Sequence, residues 1–136
     1  KGESVVKDAT GNITEIHVSY DEDSRSGSGS EASQRKVAGT LHWVAVSHAV
    51  EAEVRLYDRL VNEAHPDAGG KDFLASFNSE SLKVMTAFVE PSLANSAPDA
   101  KFQFERHGYF VADRIDHTAN RLVFNRCTGL KDTWSK

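Results

Sequence analysis

The sequence predicts an all-β fold with short helical turns, and three observations support that class. Apolar and polar residues alternate at the start of segment 101–113, with Phe102 and Phe104 on one side and Gln103 on the other, which is the period of a half-buried strand. Residues 4–20 have the pattern of a hairpin. Several more short apolar runs are separated by turn residues, as in a β-barrel or a β-sandwich.

The N-terminal part of the chain divides into a predicted hairpin and a predicted loop. The turn 8–12 contains Gly11, which supplies positive φ, and residues 13–20 are rich in β-branched side chains, which favour strands. Residues 21–34 are acidic, then rich in Ser and Gly, without an apolar anchor. We expect a mobile loop there, although a linker between two domains fits the same composition.

The middle of the chain is less regular. Residues 35–46 are predicted as a strand with Trp43 in the core. Residues 50–64 fit either a helix or a strand, and helix propensity favours the helix. Residues 72–78 are expected to form two short helical turns, and residues 90–95 one turn that begins at a proline.

Four further strands complete the predicted fold. Two are expected over 101–113, where Gly108 within the strand pattern predicts a bulge or a close backbone approach, and residues 121–126 form the last one. Residues 81–89 are predicted as another strand with four inward side chains, which are Leu82, Val84, Thr86 and Phe88.

Composition limits the functions that the chain can have. Its 136 residues suffice for one domain or two small ones, and no run of about 18 apolar residues predicts a membrane span. The single cysteine, Cys127, excludes an internal disulfide and fits a reducing cytoplasm. His42 and His48 lack a third ligand at a recognisable spacing, so no metal site is predicted.

Charge and motifs indicate binding more than catalysis. The net charge is −4, but residues 101–136 carry seven basic and four acidic side chains, and a locally positive face is sufficient to bind a polyanion. The sequence lacks a phosphate-binding glycine loop, a nucleophile elbow, a zinc-protease motif and a cysteine cluster. No catalytic site is therefore predicted.

The polar residues around Gln103 and Arg106 are the candidate binding site. Amide and guanidinium groups offer paired hydrogen bonds in a plane, which is the geometry that reads base edges. The alternative is an ordinary solvated strand face on which Arg106 pairs with Glu105.

Several runs in order resemble the C-terminal anticodon-binding region of the glutaminyl-tRNA synthetase family. They are residues 39–44 (GTLHWV), 53–60 (EVRLYDRL), 88–93 (FVEPSL), 103–110 (QFERHGYF), 122–126 (LVFNR) and 129–134 (GLKDTW). The resemblance extends over nearly the whole chain. It implies two six-stranded barrels of a type shared with a ribosomal protein, and a strand rather than a helix near residue 55.

The resemblance also implies a function. Residues 1–136 would be the anticodon-binding barrel region, incomplete at its N-terminus and without the catalytic domain, which uses ATP and magnesium. The fragment itself would hold no cofactor. It would bind the glutamine tRNA as a cytoplasmic monomer away from membranes, and Gln103 and Arg106 would contact the middle anticodon base, a uridine.

Some features leave alternatives open. Cys127 stands where the family commonly has threonine, and Lys131 where arginine is common, which obscures the role of side chains near the C-terminus. Related barrels occur in glutamyl-tRNA synthetases of the archaeal or eukaryotic kind, and a ribosomal-protein-like RNA-binding barrel is a third possibility. Such RNA-binding proteins are usually strongly basic, whereas this chain is acidic.

Overall fold

The structure is a computed structural model that describes residues 1–25, 27–39 and 42–130. The chain divides into two compact units, Lys1–Thr40 and Leu41–Lys136. The described residues contain seven strands and five short 3-10 turns but no α-helix, which confirms the all-β class. No helix among them is long and apolar enough to cross a membrane.

The first unit is built on an antiparallel hairpin of β1 (Gly2–Lys7) and β2 (Ile13–Val18), which confirms the predicted hairpin. The Asp8 carboxylate organises its turn by accepting hydrogen bonds from the Thr10 hydroxyl and from the backbone of Thr10 and Asn12. These bonds, with the Thr10 hydroxyl foremost, lower the pKa of Asp8 to about 2.

Short 3-10 turns occupy part of the segment that follows, at Glu22–Ser24 and Ala32–Gln34. The Ser30 hydroxyl donates to the Asp23 carbonyl, and Arg35 donates to the exposed Asp21 carboxylate. These contacts are local. The mobility of residues 21–34 stays a prediction.

The second unit is a five-stranded mixed sheet in the order β4-β3-β7-β6-β5. Its strands are β3 (Val50–Tyr57), β4 (Leu82–Val89), β5 (Lys101–Phe104), β6 (Gly108–Ala112) and β7 (Leu122–Thr128). Strands β3 and β7 pair in parallel, and all other neighbours are antiparallel. A strand at 50–57 therefore overrides helix propensity, because this strand has a partner on each side.

The core lies on one face of this sheet. Phe124 is fully buried, and the rings of Phe102 and Phe104 meet it edge-on, with centroids 5.7 and 5.3 Å away. Phe104 also stacks on Phe110 at 4.3 Å. Aromatic pairs with these spacings add to the burial of apolar area, so the core attaches both β5 and β6 firmly to β7.

Two predicted features of the fold are wrong. Residues 35–39 and 42–46 form no strand, since no described strand pairs with them, and Trp43 is 67% exposed rather than in the core. Strand β4 exists, but Leu82, Val84, Thr86 and Phe88 are exposed. The register with β3 turns Ala87 and Val89 inward instead.

The predicted helical turns and the predicted barrel have different outcomes. The predicted turn that begins at a proline is confirmed as the 3-10 turn Pro91–Leu93. Residues 72–78 contain one 3-10 turn, Phe73–Ser76, rather than the two helical turns predicted. The described part of the second unit is an open sheet with edges at β4 and β5, so it does not itself close into a six-stranded barrel. Predictions that involve Leu41 and 131–134, including Lys131, lie outside the described residues.

Candidate RNA-binding site

The β5–β6 hairpin carries the candidate site. Phe102 and Phe104 are half-buried in the core, which turns Gln103 outward into solvent. Gln103 lies directly opposite Tyr109 on β6, as Phe102 lies opposite Phe110. Directly opposed residues of an antiparallel pair share a face of the sheet, so the amide of Gln103 and the ring of Tyr109 are neighbours on the outer face.

Arg106 occupies the turn between the two strands. The His107 N–H donates to the Phe104 carbonyl at 2.9 Å and closes the turn. Arg106 has a φ of 68°, the left-handed region that glycine occupies at no cost and other residues adopt at a cost of about 1–2 kcal/mol. A bulky residue held in this conformation often marks a functional position.

The side chain of Arg106 remains available for a ligand. Its Nε lies 3.6 Å from Glu105 Oε1, and the two side chains are 52% and 55% exposed. An ion pair this exposed is worth about 0–1 kcal/mol, so Glu105 does not hold the guanidinium. The alternative of an ordinary solvated strand face also predicts this ion pair. It does not explain why Arg106 adopts a strained backbone conformation.

Gly108 fixes the hairpin against the neighbouring strand. It has a φ of 135°, and a Cβ at this position would collide with the Thr128 carbonyl oxygen. The close backbone approach predicted from the sequence is thus confirmed. It sets where Gln103, Arg106 and Tyr109 stand relative to the end of β7.

A network of charged side chains lies on the same outer face of the sheet. Arg55 of β3 donates to Glu53 at 2.7 Å and to Asp116 at 2.6 Å, and Asn125 donates to Asp113 at 2.6 Å. Arg55 also reaches Asp113 at 3.5 Å. The network therefore links β3, β7 and the loop that follows β6.

Hydrogen bonds in this network shift the pKa values of three of its members. The N–H of Asp116 and the Asn125 amide are the main causes that lower the pKa of Asp113 to about 2. Arg121 and then Arg55 lower the pKa of Glu53, and hydrogen bonds to Asp116 and Glu53 raise that of Arg55. These shifts favour the charged forms of Asp113, Glu53 and Arg55.

The structure places both residues predicted from the sequence, Gln103 and Arg106, at one end of the β5–β6 hairpin. Sequence reasoning missed Tyr109. Its position could have been inferred from the register of a hairpin that turns at residues 105–107. No group of three or more potential metal ligands is brought together within residues 1–25, 27–39 and 42–130.

Fold and site together define an all-β domain that offers hydrogen-bonding groups, positive charge and an aromatic ring on a sheet face, which is the chemistry of a binding domain. The sequence model of one family, "tRNA synthetases class I (E and Q), anti-codon binding domain", matches residues 40–113. The chain belongs to this family.

Curated relatives agree with this membership. The chain is 56% identical over 132 residues to the glutamine--tRNA ligase of Cupriavidus taiwanensis, covering 97% of this chain and 22% of that protein. It is 51% identical over 136 residues to the enzyme of the same name from Serratia proteamaculans, covering 100% of this chain and 24% of that protein. The chain thus spans about a quarter or less of the length of these relatives.

Proposed function

We propose that the chain is the tRNA-binding part of a glutamine--tRNA ligase, and that it reads the anticodon without taking part in catalysis. The main support is sequence identity: over almost its whole length, the chain shares more than half of its residues with a protein that bears this name. The match of the anticodon-binding family to residues 40–113 agrees with it.

We further propose that Gln103 and Arg106 contact the middle anticodon base, a uridine. An amide can both donate to and accept from the imide edge of uracil, whose N–H lies between two carbonyl oxygens. A guanidinium donates in a fork to carbonyl or phosphate oxygens. Anticodon loops suit this readout because their unpaired bases can be turned outward into a protein surface.

The backbone of Arg106 supports a role in binding. Its positive φ would be relieved by a glycine, so an arginine is retained at a cost in stability. The exposed guanidinium and its weak ion pair leave the group free to exchange Glu105 for a nucleic-acid partner.

The remaining activity belongs to parts of the longer protein. Attachment of glutamine with ATP and magnesium would take place in a separate catalytic domain, because the chain matches only 22% of the length of a relative that bears the ligase name. The open five-stranded sheet would be completed into a six-stranded barrel of the ribosomal-protein-like type. We place the protein in the cytoplasm as a monomer.

Aminoacylation kinetics of the full-length protein test the anticodon role. Arg106→Ala should lower kcat/KM for glutamine tRNA by the equivalent of about 1–3 kcal/mol, and Gln103→Ala by less, since direct base contacts are worth that amount. A tRNA with the middle base changed should lose little more when Arg106 is also removed, because the two changes delete one shared contact.

A matched control and two contrary results complete the test. Arg114→Ala removes another exposed arginine, which pairs with Asp99 outside the hairpin, and should leave the kinetics unchanged. Penalties for Arg106→Ala and the base change that simply add would refute base reading. A loss that is equal for every anticodon and shrinks in high salt would instead indicate a phosphate contact.

A further inference from the structure

We propose that Tyr109 is a stacking platform on which the unpaired anticodon base read by Gln103 and Arg106 lies flat. This inference rests on the proposed tRNA-binding function and adds to it a residue that holds the face of the base, whereas Gln103 and Arg106 hold its edge. Aromatic rings on exposed sheet faces bind bases in this way in many RNA-binding domains.

Tyr109 is free to receive a base. Its residue surface is 46% exposed. Its neighbours along the chain, Gly108 and Phe110, are both buried, so the strand is anchored beneath it. Among the described residues, neither an aromatic contact nor a hydrogen bond engages the Tyr109 side chain.

The register places the ring and the amide side by side. Gln103 and Tyr109 are direct cross-strand partners, and the Cβ atoms of such pairs lie about 4.5–5.5 Å apart. A base that lies on the Tyr109 ring therefore brings its hydrogen-bonding edge alongside the Gln103 amide. Arg106 reaches the same edge from the turn.

The strand that carries Tyr109 is held in place by packing on both sides of this residue, which favours stacking. Phe110 is buried against Phe104, and Gly108 packs against Thr128 without room for a side chain. Both neighbours of Tyr109 are therefore fixed by packing before any ligand binds. With the backbone already fixed, binding has to order only the side-chain torsions of Tyr109. Every base has a π-face, so the contact strengthens binding while the edge contacts select the base.

Equilibrium binding of the full-length protein to glutamine tRNA tests this assignment. Tyr109→Leu keeps an apolar side chain but removes the ring, and should weaken binding about 5- to 150-fold, which is the fold-change that ~1–3 kcal/mol of stacking converts to. Tyr109→Phe keeps the ring and should bind within about threefold of wild type, because stacking does not need the hydroxyl.

The matched control is Tyr57→Leu. Tyr57 lies on β3, two strands from β6, and is 48% exposed, so it presents the same chemistry away from the hairpin. It should bind tRNA like wild type. Thermal unfolding of all three variants checks that the sheet is intact.

A tRNA with an abasic ribose at the middle anticodon position makes the test specific. On this tRNA, wild type and Tyr109→Leu should bind equally, because there is no base left to stack. An equal loss on normal and abasic tRNA, or no loss on normal tRNA, would overturn the platform.

Arg106→Ala separates failure of the platform from failure of the proposed function. If Arg106→Ala discriminates the normal from the abasic tRNA less than wild type does while Tyr109→Leu behaves as wild type, the anticodon role stands and only the platform is refuted. If neither variant changes the discrimination, the anticodon role of this hairpin is refuted with it.

Discussion

Gly108 and Thr128 meet where β6 begins and β7 ends, and their backbones approach so closely that no side chain fits between them. A Cβ on Gly108 would collide with the Thr128 carbonyl oxygen, and the φ of 135° at Gly108 is itself unfavourable for any other residue. The contact ties the candidate RNA-binding hairpin to the centre of the sheet. The position of Arg106 and Gln103 therefore depends on a glycine that has no side chain of its own.

Gly108→Ala should destabilise the second unit by more than about 2 kcal/mol, because the positive φ costs about 1–2 kcal/mol and the collision adds to it. Urea unfolding measures the change. Gly69→Ala is the control, since Gly69 has a φ of 74° and open space around it, so that it reports the φ term alone. Equal costs at the two positions would show that the sheet yields at Thr128.

Arg106→Gly should separate stability from binding. Glycine relieves the φ of 68° but loses more backbone entropy on folding, so the net gain in the free energy of unfolding should be up to about 1 kcal/mol. Affinity for glutamine tRNA should fall as much as in Arg106→Ala, because both variants lack the guanidinium. Chemical denaturation and tRNA binding of the same three proteins provide the comparison.

Asp99→Gly is the control for that experiment. Asp99 has a φ of 66° and pairs with Arg114 outside the hairpin, so its replacement should leave tRNA affinity unchanged. An Arg106→Gly protein that is no more stable than Arg106→Ala would contradict the assignment of strain to this turn.

The hairpin that carries the site was predictable because its local signals agree. The alternation of Phe102, Gln103 and Phe104 determines the two faces of β5. A glycine at position 108 within the strand pattern predicts a bulge or a close backbone approach, which the structure shows at Thr128 of β7. Patterns of this kind depend on neighbouring residues alone. Gln103 therefore faces outward on β5 as the pattern predicts, whereas Arg106 lies in the turn between β5 and β6 rather than on a strand, and the binding role of both residues stays a prediction.

Features that depend on distant pairing could not be predicted in the same way. The parallel pairing of β3 with β7 joins residues about 70 positions apart, and no local pattern encodes it. The inward face of β4 was assigned wrongly because Leu82, Val84 and Phe88 look more apolar than Ala87, whereas the register with β3 decides which residues face the core.

Trp43 and Tyr109 illustrate the same difficulty for single side chains. Composition favours burial of a tryptophan, yet Trp43 is exposed in a segment without a strand. Tyr109 becomes a candidate binding residue only because it lies opposite Gln103 on the neighbouring strand. A cross-strand neighbour is a property of register and is not visible in the residue itself.

Residues 24–33 should be dispensable for stability. The described contacts of this loop are short-range, such as that of the Ser24 hydroxyl to the Asp21 carbonyl, and its residues bury little apolar surface. Replacing the segment with a shorter glycine-serine turn should change the Tm by less than about 2 °C. Arg35→Ala, which removes the ion pair to Asp21 beside the loop, should be equally mild. A loss of several degrees on replacement would mean that the loop packs on the fold.

The second unit should lose stability as the pH falls from about 4 to about 2, and Asp113 should account for part of that loss. The N–H groups of Asp116 and Ile115 and the Asn125 amide hold the pKa of Asp113 at about 2, against 3.8 for a free carboxyl. Because the folded state binds this proton less readily than the unfolded state, the contribution is complete above pH 4 and disappears as the folded pKa is reached.

Asp113→Asn removes this titration and should flatten the dependence of the free energy of unfolding on pH between 4 and 2. The variant should also be less stable at pH 7, because an amide cannot offer Arg55 and Asn125 the same charged acceptor. The control is Asp67→Asn, which replaces an exposed aspartate whose side chain makes no capping hydrogen bond. The free energy of unfolding of this variant should depend on pH as that of wild type does. Urea unfolding at several pH values measures each slope. Unchanged slope in Asp113→Asn would mean that other carboxylates carry the acid sensitivity, and that the network around Arg55 does not depend on the charge of Asp113.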